Sequence, residues 1–349
     1  MANAVDLTDF YTRLRKAVDG ETSSASPATL PPPASLQFAL SALPSPSSDS
    51  YLAGTGAEAT LQHILGAIAP ALNGQALSSR YFGFVTGGTL PIAEAADNVV
   101  SALDQNLHGH LPGQTIATTV ESAALEMLAQ LLGVETSGPG AFAGRIFTTG
   151  ATASNILGLA CGREAVVAKR LPAGSSVGEL GILAACAAAG VKEIQVLTSM
   201  GHSSLSKAAG IVGLGRASVK ELPRDAEHPW MLDLARVEAE LRQDGVASII
   251  AVSAGEVNTG GFALEGRAEM EWLRGKADEY GAWIHVDGGE SFRSWKWIFC
   301  MLTGEYSFRN VRKSSAKDGA VRIPACRGGR LGTCRQYHSG LSQALECGK

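Results

Sequence analysis

The chain has 349 residues, 45% hydrophobic and 18% charged, the balance of a soluble globular protein with material for one large domain or two smaller ones. No apolar run reaches the ~18–20 residues of a membrane span. The first twenty residues, which include Asp6, Asp9, Arg13 and Arg15, lack the pattern of a secretory signal, so a cytoplasmic location without membrane attachment is expected.

The six cysteines show no CxxC pair and no regular spacing, which argues against a zinc site or a disulfide framework. The net charge of −4 hides an asymmetry. Residues 290–349 hold eleven Lys/Arg against four Asp/Glu, and four of the six cysteines. A basic tail can bind nucleic acid, but this one has neither helical periodicity nor a motif, so no nucleic-acid partner is expected.

In chain order, residues 5–19 predict a short amphipathic helix with Leu7, Phe10, Leu14 and Val18 near one face. Residues 1–19 are therefore assigned to an N-terminal helix. Residues 20–56 are rich in Ser, Pro, Ala and Gly, with Pro31-Pro32-Pro33, and predict an extended linker. From residue 57 helix and strand signals alternate. Helices are predicted at 57–71, 92–106, 119–132, 154–169, 177–189, 232–243 and 266–279. Strands are predicted at Ile194–Thr198, Ser248–Ser253 and Trp283–Val286. This alternation implies an α/β fold whose mostly parallel sheet is flanked by helices. Ligands of such sheets sit beyond the carboxyl ends of the strands.

Three polar clusters fall at those ends. Thr148-Thr149-Gly150-Ala151-Thr152-Ala153-Ser154-Asn155 opens a helical run. Its small residues would let a phosphate approach unpaired helix N–H groups, although taken alone it reads better as an ordinary Ser/Thr-rich cap. Thr198-Ser199-Met200-Gly201-His202-Ser203-Ser204 follows a strand, and His202 there could stack on a flat cofactor or simply hydrogen-bond in a loop. Trp283-Ile284-His285-Val286-Asp287-Gly288-Gly289 is an apolar strand ending in a carboxylate. Asp287 could hold a cationic ring nitrogen or cap a turn.

In that order, from Arg80-Tyr81-Phe82-Gly83-Phe84-Val85-Thr86-Gly87-Gly88 to Asp287, the clusters resemble the group II pyridoxal-phosphate-dependent amino-acid decarboxylases. The resemblance spans about 210 of the 349 residues. It implies the type I fold of pyridoxal-phosphate enzymes, an L-amino-acid substrate and a homodimer. Gly150, Ala151 and Thr152 would cradle the cofactor phosphate, supported by Ser154 and Asn155. The catalytic pair would be His202, stacked on the ring, and Asp287, paired with its nitrogen. Gln105 and Asn106 match a segment near the substrate entrance. Glu256, with Asn258 and Thr259, falls in a polar loop that departs from the family's commoner Gly-Thr-Thr. His108 and His110 have a metal-like spacing but are assigned to a loop, since two such ligands rarely make a site.

The resemblance stops at Gly288-Gly289. Family members continue to an Asp-x-His-Lys motif whose lysine forms a Schiff base with the cofactor. After Asp287 the lysines here are Lys296, Lys313, Lys317 and Lys349, none preceded by histidine. A back-translation of Leu331–Gly348 with suitably chosen synonymous codons, read one nucleotide later, gives Leu-Glu-Leu-Ala-Asp-Ser-Ile-Thr-Val-Asp-Cys-His-Lys. The expectation is a large domain over 57–289, incomplete, followed by a frame-shifted or intron-derived tail over 290–349. On that expectation the chain is inactive. An aminotransferase, a desulfinase, an aldehyde-forming relative and a non-catalytic partner of a full-length subunit are the alternatives.

Overall fold

The computed structural model describes residues 6–22, 30–78, 80–81, 83, 88–106, 109–132, 134, 136, 142–256 and 258–289. The expected tail at 290–349, His108 and most of the Phe82–Gly87 stretch lie outside the described residues. Two compact units divide between Asp104 and Gln105.

The N-terminal unit is helical. Helix α1 (Leu7–Thr22) is opened by Asp6, whose Oδ1 accepts the N–H groups of Thr8 and Asp9 at 3.0 and 3.2 Å, filling donors that a helix start leaves without partners. Helix α2 (Pro33–Ala42) starts on a proline, whose fixed φ and missing N–H suit the first helical position. It lies inside the segment expected to be an extended linker. There Leu36-Gln37-Phe38-Ala39-Leu40 outweighs the flanking Ser/Pro composition. Helix α3 (Ala57–His63) continues into a π turn at Ile64–Ile68 and a 3-10 turn at Ala69–Ala71. Helix α4 (Pro91–Ala102) again begins on proline. Arg15 on α1 pairs with Glu94 on α4 at 2.9 Å, both sides being over 40% exposed, so the pair adds under about 1 kcal/mol.

The second unit opens with α5 (Ala117–Leu132) and α6 (Ala151–Ala168). Helices α7 (Val177–Leu180) and α8 (Ile182–Ala188) follow. They replace the single helix expected at 177–189, because Gly181 adopts φ 74°, a left-handed conformation that glycine takes most readily. Strand β1 (Glu193–Thr198), helix α9 (Ser203–Ile211) and the short strand β2 (Val219–Glu221) come next. Helix α10 (Leu234–Leu241), strand β3 (Val246–Ser253), helix α11 (Arg267–Glu279) and strand β4 (Trp283–Asp287) complete the unit. The other predicted helices and all three predicted strands coincide with observed elements to within a few residues. Helix α9 and strand β2 were not expected, since one is serine-rich and the other only three residues long.

All strand pairs are parallel, in the order β2-β1-β3-β4. The chain steps from β1 to one side and then returns to its other side, so the strand order reverses beside β1, the position at which open α/β sheets generally take their ligands. Alternate side chains feed two cores. Ile250, Val252, Ile284 and Val286 pack with Val237 and Leu241 of α10 and Met270 and Leu273 of α11. Val196, Ile249, Ala251 and Trp283 pack with Leu159 and Val166 of α6 and Leu205 and Ala208 of α9. The sheet is thus covered on both faces, as the alternating pattern predicts.

Helix α6 meets the sheet through Asn155, Gly158, Leu159, Gly162 and Val166, all buried, a spacing that draws one stripe down the helix. Gly162 sits at the tightest point, where an added Cβ would lie 2.8 Å from Trp283 Cδ1 and 3.1 Å from Ile249 Cδ1. Gly162→Ala should therefore cost about 1–3 kcal/mol by overpacking, which outweighs the gain of up to about 1 kcal/mol in helix propensity. Gly275, within α11, has nothing within 4 Å of the same added atom, so Gly275→Ala should stabilise by about 0.5–1 kcal/mol. Urea unfolding of the two variants checks both signs.

Candidate active site

Strand alternation puts Trp283, His285 and Asp287 on the β4 face that looks toward α6. Trp283 fills the space over Gly162. About two turns nearer the helix start, Asn155 meets the other two. The Asn155 amide nitrogen donates to Asp287 Oδ2 at 3.0 Å and to Ser204 Oγ at 2.9 Å, while its oxygen lies 2.8 Å from His285 Nε2. Asn155 and His285 are fully buried, and Ser204 nearly so.

Ser204 belongs to the first turn of α9, whose N-cap is His202. The imidazole Nδ1 of His202 lies 2.7 Å from Ser204 Oγ and accepts the Ser204 backbone N–H at 3.2 Å. His202 itself is exposed and Asp287 partly so. The network therefore runs from the interior, at His285, to two side chains that reach the rim of the sheet. Asp287 Oδ1 accepts the Gly289 N–H at 3.3 Å.

Beside this network α6 begins. Its N-cap, Gly150, makes no side-chain cap bond, and nothing lies within 4 Å of an added Cβ there. Thr152 is exposed and Ala151 partly exposed. A helix start of this kind presents N–H groups and a partial positive charge to an anion. Ser154 is buried and lies 2.6 Å from Thr148 Oγ1, which donates to the Gly150 carbonyl at 3.1 Å. The pair shapes the turn into the helix.

Of the residues singled out from the sequence, Asn155, His202 and Asp287 share one hydrogen-bonded network, with Gly150, Ala151, Thr152 and Ser154 at the same helix start. Asn155 faces inward, to Asp287 and Ser204. Glu256 follows β3, and its carboxylate is held within its own turn by the N–H groups of Asn258 and Thr259 at 2.7 and 2.9 Å, by Thr259 Oγ1 at 3.0 Å and by the Asn258 amide. Burial works to raise its pKa, but these donors outweigh it and hold the carboxyl below its ordinary value. Gln105 accepts from Thr115 Oγ1 at 3.2 Å, beside the start of α5; Asn106 follows it, exposed. His110 lies 2.8 Å from Thr118 Oγ1. Among the described residues no group of three or more His, Cys, Asp or Glu is placed to hold a metal. Ser204 and His285 were not singled out. The signal for His285 was its i, i+2 relation to Asp287, which puts both on one strand face.

Burial pushes the His285 imidazole below its ordinary pKa, with the Asp287 charge opposing the shift. The folded chain keeps this ring neutral at pH values where the unfolded chain protonates it. Folding then releases a proton, and stability falls as pH drops below about 6.5. Between pH 7 and 5.5 wild type should lose stability by up to about 1.4 kcal/mol per pH unit more than His285→Gln. Urea melts across that range measure the difference in slope.

No family model matches the chain. It is 24% identical over 206 residues to an L-2,4-diaminobutyrate decarboxylase of Acinetobacter baumannii, covering 57% of this chain and 38% of that protein. The fold resembles the glutamate decarboxylase domain of a diaminobutyrate-pyruvate transaminase and L-2,4-diaminobutyrate decarboxylase from Vibrio parahaemolyticus, with TM-score 0.62 and 20% identity over 83% of this chain and 60% of the other. It also resembles Oryza sativa TDC with PLP and tryptamine, with TM-score 0.56 and 24% identity over 82% and 58%. The chain spans only 33–43% of the length of the curated relatives it matches. In sequence it is similar to amino-acid decarboxylases, among them a diaminobutyrate, a glutamate-like and a tryptophan decarboxylase, and its fold is that of solved decarboxylases.

Proposed function

We propose that this chain carries the pyridoxal-phosphate-holding part of an amino-acid decarboxylase site, and that the 349 residues alone bind the cofactor without a covalent bond and do not turn over. The observation that supports the reading best is the Asn155 bridge, which places a carboxylate and an imidazole at the carboxyl ends of β4 and β1. The donor set fits the cofactor's three parts. The N–H groups that open α6 at Gly150, Ala151 and Thr152, with no side-chain cap, suit a phosphate. Exposed His202 offers a flat face for a ring, and the Asp287 carboxylate suits a protonated ring nitrogen. Pyridoxal phosphate, when bound, supplies an electron sink for the pair left as carbon dioxide departs from an L-amino acid. Asp287 would keep the ring nitrogen protonated, and Asn155, by donating to Oδ2, holds that carboxylate in place.

Gln105, Asn106 and Glu256 remain proposed substrate-side residues. For Glu256 the role is indirect, because its turn already occupies both carboxylate oxygens. A homodimer is proposed as well. It is supported by apolar exposure in the N-terminal unit, including Leu40 at 69% and Ile92 at 75%, surface of the kind that association covers. The absence of a His-Lys pair after Asp287 favours one second reading, a non-catalytic partner that docks on a full-length subunit. Co-purification with such a subunit separates the two.

Pyridoxal phosphate should dialyse away from this chain, and Asp287→Ala should weaken what binding there is. Borohydride treatment followed by peptide mapping should find no pyridoxyl group on any lysine; one on Lys296, Lys313 or Lys317 overturns the proposal. We also propose that residues from about 290 are read out of frame. Restoring the frame upstream of the Leu331 codon, with a continuous join to Gly288, should create the Asp-x-His-Lys segment. The repaired, extended protein should bind the cofactor covalently and release carbon dioxide from an L-amino acid. Genomic DNA with no frame encoding that segment sinks the idea.

A further inference from the structure

We propose that His285 is a positioning residue, which orients the Asn155 amide so that its two N–H groups hold Asp287 directly and His202 through Ser204. For the cofactor this role rests on the reading above; the hydrogen-bond order itself does not.

The order of donors follows from valence. A carboxylate only accepts hydrogen bonds, so the Asn155 atom 3.0 Å from Asp287 Oδ2 is the nitrogen. The amide oxygen then faces His285, 2.8 Å away, and His285 Nε2 must carry the proton. The second amide N–H goes to Ser204 Oγ at 2.9 Å, which leaves the Ser204 hydroxyl proton for His202 Nδ1 at 2.7 Å. His202 already accepts the Ser204 N–H on that nitrogen, so its own proton sits on Nε2. His285 Nδ1 is buried and has no partner among the described residues, so the ring's one hydrogen bond is to Asn155. Burial disfavours the doubly protonated ring, which keeps that single donor in place.

An imidazole retained only for packing would not need a proton on a particular nitrogen. Glutamine places an N–H near the position of Nε2, whereas asparagine, one carbon shorter, reaches only toward Nδ1, and leucine offers no donor. His285→Gln should therefore preserve the network, and His285→Leu and His285→Asn should break it.

The test has two readouts on the 349-residue chain. The first is the ¹⁵N spectrum of the imidazoles without any ligand. Wild type should show a neutral His285 protonated on Nε2, and His202 in the same tautomer. His285→Gln should leave the His202 signals in place, while His285→Leu and His285→Asn should shift them although neither residue touches His202. A wild-type His285 protonated on Nδ1, or His202 signals indifferent to all three substitutions, overturns the proposal. If the leucine variant does not fold, the glutamine–asparagine contrast decides.

The second readout is titration with pyridoxamine 5′-phosphate, which lacks the aldehyde and reports non-covalent binding alone. His285→Gln should bind as wild type does. His285→Asn should bind about tenfold more weakly, as expected when a buried acceptor loses its donor. Equal affinity in all variants that fold overturns the positioning role at the cofactor site. Failure of wild type to bind, with the imidazole couplings present, sinks the cofactor reading and leaves the positioning role supported.

Discussion

A buried side-chain amide brings two donors and an oxygen acceptor into a place where water cannot satisfy them, and each left unpaired costs about 1–3 kcal/mol. Asn155 pairs both donors and its oxygen, with three partners on two elements: Asp287 and His285 on β4, and Ser204 on α9. Neither element is adjacent in sequence to α6, so the amide ties the helix to a strand more than 130 positions away. The candidate site depends on that tie. If α6 slid by one turn on the sheet, Asn155 would leave all three partners together, and the helix start at Gly150 would move away from Asp287.

The register of α6 is secured independently by packing. Gly162 admits Trp283 at a distance that forbids a side chain, and Leu159 and Val166 continue the same stripe into the core. Asn155 and Gly162 are seven residues apart, two turns of helix, just as His285 and Trp283 are two residues apart on one strand face. The apolar contact at one end and the polar contact at the other are therefore set by the same two periodicities. This is why a polar network can survive in the interior here, since the surrounding core leaves it no alternative arrangement.

Much of the sheet and its helices was legible in the sequence because Ile194–Thr198, Ser248–Ser253 and Trp283–Val286 are short apolar runs between amphipathic stretches, and such runs carry their own periodicity. Helix α9 was not, because Ser203-Ser204-Leu205-Ser206 has a polar composition that local pattern assigns to a loop. It forms a helix because His202 caps it and Leu205, Ala208 and Ala209 bury against the sheet. Helix α2 was missed for the converse reason, since proline-rich flanks masked a good helical core. At the site, the order of three polar clusters pointed to His202 and Asp287, but not to what connects them. Contacts between Asn155, Ser204 and His285 span 49 and 130 residues, and no local spacing encodes them.

The same geometry bears on what a missing lysine would change. Among the described residues, the network is built from the sheet and its flanking helices, between Asn155 and Gly289. The Asn155 cluster is framed by the apolar contacts around α6, β3 and β4. Binding and chemistry then make separate demands on the chain. The first needs an anion site, an aromatic face and a carboxylate held at fixed orientation, for which the helix start at Gly150, His202 and Asp287 are the proposed candidates. The second needs an amine that exchanges the bound aldehyde onto substrate. A chain with the first set and without the second would keep the shape of the site while losing the step that makes it turn over, so the two properties can be separated by experiment on a single polypeptide.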